Sequence, residues 1–300
     1  MHDRLLFSYA SPDDPALRRV TIRTIERLTG QPRLKRIYLD TQRCPRAGES
    51  LFEAAIRHLR LEVDYDPTRL QAIPAAGPVV VVANHPFGVL DGLVIGYLIA
   101  KVRPDFKILT HSALYRAPEL RPQLLPVDFG ASKSATETTL RSRTAALAWL
   151  REGGVLVVFP AGAVSTVRAP FAKRALDAEW KPFTARAVIE TRASVLPVFF
   201  AGQNSRLFQI ASHLSQTLRE ALLFHEICNK LGGRVRVRIG EPLDYLDLAH
   251  LTDRRRLMLH LRELTYRLEG EQPCPRRLRL RVRRRRDPPT PLARRIAGPG

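Results

Sequence analysis

His85 and Asp91 are the pair in this chain best suited to acid–base chemistry. They lie in the stretch ANHPFGVLDG, directly after the apolar run PVVVV. Near neutral pH, a histidine can take a proton from a hydroxyl or amine if a carboxylate orients and polarises its ring. Asp91 is the only acid close to His85 in sequence. The two then form two thirds of a triad whose nucleophile comes from the substrate. Spacing constrains the geometry: six residues along a regular helix turn through about 240°. The side chains can therefore meet only if His85 stays in a loop and Asp91 falls near the start of the following helix. Pro86 and Gly88 favour such a loop. The plainer alternative is that Asp91 caps the helix GLVIGYLIAKV while His85 lines a turn, and spacing alone leaves both open.

These residues need a frame. From Gly77 onward, short apolar or β-branched runs (PVVVVA, FKILT, LLPVD, GVLVVFP, SVLPVFF, RVRVRIG) alternate with helical patterns such as ATETTLRSRTAALAWLREGG and KPFTARAVIETR. That rhythm predicts an α/β domain with a largely parallel central sheet flanked by helices. Ligands of such sheets bind beyond the carboxyl ends of the strands. Both ANHPFG and FPAGAVS begin where an apolar run ends, so one cleft is expected to hold both.

A helical preface is expected before this domain. Pro15 suits a first helical position, and ALRRVTIRTIERLTG carries an apolar stripe of Leu17, Val20, Thr24/Ile25 and Leu28 ending at Gly30. A second helix is expected over Ser50 to Leu61. The division is then 1–72 helical region, 73–270 main domain and 271–300 basic tail. The tail's composition offers little to pack and reads as disordered.

The net charge is +20. Ten Arg against Glu271 and Asp287 give residues 271–300 a net +8, leaving +12 on the rest. A basic body attracts phosphates, whether on nucleic acid, anionic lipid or an acidic cofactor. Cys44, Cys228 and Cys274 are scattered without metal-ligand spacing, and a reducing cytoplasm is the expected setting. The apolar stretch beginning at Gly92 is about half as long as a membrane-spanning helix requires, so any membrane association is expected to be peripheral.

Three ordered motifs, NHPFGVLDG, VVFPAGAVS and VLPVFFAGQNS, resemble the glycerolipid (lysophospholipid) acyltransferase superfamily. The resemblance is closest to its bacterial hemolysin-like or ornithine-lipid acyltransferase-like branch, and it spans roughly Ile73 to Leu248. It implies a glycerol-3-phosphate acyltransferase-like fold. It also implies transfer of an acyl group from acyl-CoA or acyl carrier protein to a lysolipid acceptor, with no metal and no further cofactor. His85 would be the general base and Asp91 the residue that orients its ring. The superfamily usually has four residues between this His and Asp; here there are five.

The second motif departs further. The superfamily commonly reads Phe-Pro-Glu-Gly, and hemolysin-like relatives Phe-Pro-Ala-Gly-Glu; this chain has Ala161 and Ala163, with Val164 where an Arg often follows. Gly162 and Ser165 remain for the acceptor headgroup, with Arg168 as the positive charge. In the third motif Asn204, beside Gln203 and Ser205, is placed to orient substrate. In LLPVDFGASKSATETTL, Asp128 and Lys133 fall where the resemblance places acceptor contacts. The plainer reading there is a strand end at Asp128 and a helix cap at Ser134. His225, next to Glu226, is read as structural.

The tail's RRLRLRVRRRR invites a nucleic-acid reading. However, it lacks interleaved aromatics, and no helix-turn-helix or zinc signature accompanies it. An anionic membrane surface provides the same attraction and holds lipid acceptors, so it is the expected partner. The missing motif carboxylate keeps a weakened, lipid-binding relative as the alternative.

Overall fold

A computed structural model describes residues 8, 10, 15–43, 46–128, 130, 132–169 and 172–270. The basic tail at 271–300, with Cys274, lies outside the described residues, as do Asp13, Asp14 and Cys44. Helix α1 (Ala16–Leu28) starts one residue later than expected, because Pro15 (φ −52°, ψ 143°) is its N-cap. The buried residues of α1 are Ile22 and Glu26, whereas Leu17, Val20 and Leu28 face outward. The carboxylate of Glu26 accepts a hydrogen bond from Ser8 Oγ at 2.7 Å. Gly30, at φ +113°, turns the chain into α2 (Gln31–Arg43). The sequence reading assigns no helix to 31–43, where Pro32 and four basic residues dilute a stripe of Leu34, Ile37, Tyr38 and Thr41. Helix α3 (Leu51–His58) lies inside its expected span. There Ser50 Oγ accepts from the Glu53 N–H, and the Glu53 carboxylate accepts from the Ser50 N–H.

The chain then joins the sheet earlier than expected. Strand β1 (Glu62–Asp64) is an edge strand within the segment read as helical, and three residues are too few to show a period. After α4 (Pro67–Gln71) come β2 (Val79–Ala83), α5 (Val89–Ala100), β3 (Phe106–His111), two 3₁₀ turns, β4 (Leu124–Val127), α6 (Lys133–Arg151) and β5 (Val155–Val158). Ser132, not Ser134, caps α6 by accepting from the Ala135 N–H at 3.1 Å. A small antiparallel hairpin of β6 (Thr166–Val167) and β7 (Ala175–Leu176) precedes α7 (Phe183–Thr191) and β8 (Ser194–Ala201). Helices α8 (Arg206–Leu214), α9 (Gln216–Ala221) and α10 (Leu223–Asn229) lead to β9 (Arg234–Ile239), α11 (Tyr245–Leu248) and α12 (Arg254–Arg267).

The sheet order is β1-β9-β8-β2-β5-β3-β4. Strands β8, β2, β5, β3 and β4 run parallel, while β9 pairs antiparallel with β8 and carries β1 with it. The all-valine run explains the centre: β2 is buried on both faces, so alternate side chains enter two separate cores. Val79, Val81 and Ala83 pack with Phe52 of α3 and Leu90, Val94 and Leu98 of α5. Val80 and Val82 pack with Leu147 and Leu150 of α6, Val188 of α7 and Leu257 and Leu261 of α12. Gly96 lets α5 approach α3 closely, since a β-carbon there would lie 2.4 Å from the Phe52 ring.

At the amino end of the sheet, the buried Arg103 guanidinium clips three turns together. It donates to Asp105 Oδ1 and Oδ2 at 2.8 and 2.7 Å, and to the carbonyls of Pro74 and Gly153 at 2.7 Å each. The Gly77 carbonyl accepts two further contacts at 3.2 and 3.3 Å. No helix among the described residues is long and apolar enough to cross a membrane.

Candidate active site

Register brings the motifs together. Val82 of β2 pairs with Val158 of β5 on one side and with Pro197 of β8 on the other, so the three motif loops leave the sheet side by side at its carboxyl end. Asn84 extends the ladder beyond β2. Its Nδ2 donates to the Phe200 carbonyl at 2.9 Å, and its Oδ1 accepts from the Phe200 N–H at 2.7 Å, so a side chain replaces a peptide unit. The next residue, His85, is therefore anchored at the rim.

The geometry reconciles the two readings of Asp91. His85 lies in the loop, and Asp91 is the third residue of α5, with Gly88 at φ +71° before the helix. Asp91 Oδ2 accepts from the Phe87 and Gly88 N–H groups at 2.8 and 3.0 Å, which is half of a capping box, and it also lies 3.0 Å from His85 Nδ1. Cap and histidine partner are the same carboxylate. With two amide donors already on Oδ2, the imidazole contact has the length of a hydrogen bond without its full alignment. Asp91 Oδ1 has no partner among the described residues. The Asp91 side chain is 0% exposed, and this burial pushes its pKa above the ordinary carboxylate range, against the lowering effect of His85 and the two amides.

The imidazole is held from other directions as well. It stacks on Phe159 with ring centroids 4.1 Å apart. Its main chain is fixed by Asp177, whose Oδ1 accepts from the His85 N–H at 3.1 Å and from Ser165 Oγ at 2.5 Å. The Ser165 N–H donates to the His85 carbonyl at 2.8 Å, and Trp180 Nε1 donates to Asp177 Oδ2 at 2.9 Å. Tyr266 OH accepts from the Asp177 N–H, and burial raises its pKa to about 12. Sequence reasoning missed Asp177, whose setting ALDAEWKPF carries no recognisable pattern. Asn84, next to the histidine, was in plain view as a strand-end polar residue.

His85 opens onto a cavity of about 430 Å³ between the carboxyl ends of β2, β3 and β5 and the helices α9 and α10. Its walls are largely apolar, with Leu109, Leu114, Val158 and Leu223 among them, and Arg143, Lys181 and Arg219 bring positive charge. Arg219 also donates to the Val164 carbonyl at 2.7 Å, and burial lowers its pKa. Gly162 and Ala163 line the same cavity.

The other candidates lie elsewhere. Ser165 is buried and engaged with Asp177, behind the histidine instead of in the cavity lining. Arg168 is exposed and lines a second cavity with Trp180, Met258 and Arg262. Asn204 is buried, with neither amide atom hydrogen-bonded among the described residues, and does not line the His85 cavity. Asp128 follows β4 directly, with Oδ1 accepting from the Gly130 N–H. His225 sits half-buried in α10.

Comparison with known proteins places the chain in a family. A family model described as Acyltransferase matches residues 41–272. Two curated relatives are lyso-glycine lipid O-acyltransferases. The one from Phocaeicola vulgatus is 27% identical over 174 residues, 58% of this chain and 59% of that protein. The one from Bacteroides thetaiotaomicron is 26% identical over 172 residues, 57% and 60% of the two chains. The match thus spans about three fifths of the length of these relatives. Among solved structures, the 1-acyl-sn-glycerophosphate acyltransferase of Thermotoga maritima aligns with a TM-score of 0.46 and 19% identity, over 89% of this chain and 86% of that one. With a family model matched over most of its length, the chain belongs to the acyltransferase family.

Proposed function

We propose that this protein transfers a fatty acyl group from a thioester donor, acyl-CoA or acyl carrier protein, to the free hydroxyl of a lysolipid held at a membrane, with no metal or further cofactor. One observation carries the reading: an imidazole at the rim of a mostly apolar cavity, backed at 3.0 Å by a buried carboxylate. With Nδ1 turned to Asp91, Nε2 is the nitrogen left to take the acceptor's proton. The acceptor oxygen attacks the thioester carbonyl, and the thiolate leaves with the proton from the imidazolium. Asp91 keeps the ring oriented and stabilises its charged form, as the acid of a triad does.

The acceptor class is supported by the O-acyltransferase activity named for the two relatives and by the cations around the cavity. Arg143, Lys181 and Arg219 suit an acceptor with an anionic headgroup. Ala161 and Ala163 leave no carboxylate in the motif for a cationic one. Thiol release from palmitoyl-CoA, or from palmitoyl carrier protein, measured against a panel of lysolipids tests this. The expected result is acceptor-dependent release, strongest with anionic headgroups, that His85→Ala lowers by about 10²–10⁴-fold. Release that survives His85→Ala overturns the assignment of the base. Lipid binding without release from either donor favours the weakened, lipid-binding alternative that the two alanines keep open.

A further inference from the structure

A second cavity, of about 500 Å³, lies on the other side of the segment that carries FPAGAVS. Gly162, Ala163 and Val164 line the His85 cavity, whereas Thr166, Val167 and Arg168 line this one; Lys181 and Trp180 divide in the same way. Asp177, which holds the His85 main chain, belongs to the wall of the second cavity. The volume is that of a site for a small organic molecule. The proposed transfer makes no use of it.

Three arginines meet there: Arg168, just after β6, and Arg255 and Arg262 of α12. Arg168 and Arg255 are exposed, and neither side chain has a hydrogen bond or ion pair among the described residues. Arg262 is held in place. Its guanidinium lies 4.8 Å from the centroid of the Tyr266 ring, and one terminal nitrogen donates to the Asp177 carbonyl at 3.2 Å. That acceptor is neutral, and Arg262 Nε has no acceptor at all among the described residues. Unpaired arginines are ordinary in a chain of net charge +20, but three that share one concavity around a fixed guanidinium are not. The acids of the same wall do not cancel them. Glu179 is a single exposed carboxylate, and the Asp177 oxygens are already taken by His85, Ser165 and Trp180.

Guanidiniums present paired, planar N–H donors that match a phosphate group, with its about two negative charges and several acceptor oxygens. Beside them, Leu176, Trp180 and Met258 give an apolar stretch of wall for the organic part of such a ligand. We propose that this second cavity binds a small organic phosphate through Arg168, Arg255 and Arg262. The phosphate belongs either to coenzyme A, the donor of the proposed transfer, or to a separate phosphorylated ligand.

The cavity contains its own reporter. Trp180 is one of two tryptophans, and Trp149→Phe leaves it as the only one. Full-length chain with that change is titrated at constant ionic strength with inorganic pyrophosphate and with coenzyme A, followed by emission and by calorimetry, so no turnover is needed. Saturable binding of pyrophosphate that shifts Trp180 emission is expected. Arg168→Gln/Arg255→Gln should weaken it about tenfold with thermal melts unchanged. Arg143→Gln in the His85 cavity and Arg23→Gln/Arg27→Gln on α1 should leave it as it was. Coenzyme A that displaces pyrophosphate and weakens in the same pair assigns the phosphate to the donor. Coenzyme A indifferent to both assigns it to a separate ligand, and the site stands in either case.

No saturable binding of either probe overturns the proposal. So does pyrophosphate binding that Arg143→Gln removes, because it then belongs to the His85 cavity, or binding that falls equally in the α1 pair, because it then reflects net charge alone. Binding with the expected pattern in a protein that transfers no acyl group keeps the site and removes the transfer reading instead.

Discussion

At the scale of residues, Asp91 does two jobs whose demands oppose each other. As a cap it needs only an acceptor oxygen; as the proposed partner of a His85 base it would have to carry charge where burial penalises charge. The sign of the consequence follows from its raised pKa. The stability it lends is present at pH below the unfolded carboxylate range and is lost as pH rises through its folded value. Asp91→Asn keeps an acceptor for Phe87 and Gly88 and cannot ionise. Its melting temperature relative to wild type should therefore climb as pH is raised through and beyond the ordinary carboxylate range, as thermal melts at a series of pH values would show. In the same variant, acyl transfer at neutral pH should fall by about 10²–10⁴-fold relative to wild type. Ser165→Ala removes one of the donors to Asp177 behind His85, with an expected loss of about 1–3 kcal/mol in urea unfolding. The pair His85 and Asp91 was legible because the resemblance rests on their types and order. Asp177 was not, because its role depends on a loop returning to the rim from 92 residues away.

At the scale of elements, the strands were the most readable. The six runs appear as β2, β3, β4, β5, β8 and β9, and β2, β5 and β8, buried on both faces, leave an unbroken apolar signature. Direction was not encoded in those runs: RVRVRIG alternates as a half-exposed strand does, yet only pairing reveals that β9 runs antiparallel to β8. Arg168 illustrates a second limit. A position a few residues after a motif can be read from sequence, but the hairpin of β6 and β7 carries this one to another cavity. The approach of α5 to α3 sets where the first turn of α5, and hence Asp91, meets the loop. Gly96→Ala forces its new methyl against Phe52 and should destabilise the fold by about 1–2 kcal/mol despite better helix propensity. Phe52→Leu in the same chain should recover part of that loss in a double-mutant cycle of denaturant unfolding.

At the scale of the whole molecule, the two ends of the sheet have separate tasks. The carboxyl end holds the histidine, the carboxylate and the cavity; the amino end holds the Arg103 clip, whose hydrogen bonds to Asp105 hold that carboxyl below its ordinary range. Arg103→Ala strips the donor from three carbonyls in two neighbouring turns and should lower unfolding free energy by about 3 kcal/mol or more. Activity per folded molecule should be unchanged, as read from turnover normalised to the folded fraction well below the melting temperature. A frame fastened at the end remote from the chemistry gives the cavity walls freedom to drift. Libraries randomised at Ala163, a half-buried position on the cavity wall, should thus yield mostly foldable chains, and the proposed acceptor preference can diverge on this scaffold without a matching change in its architecture.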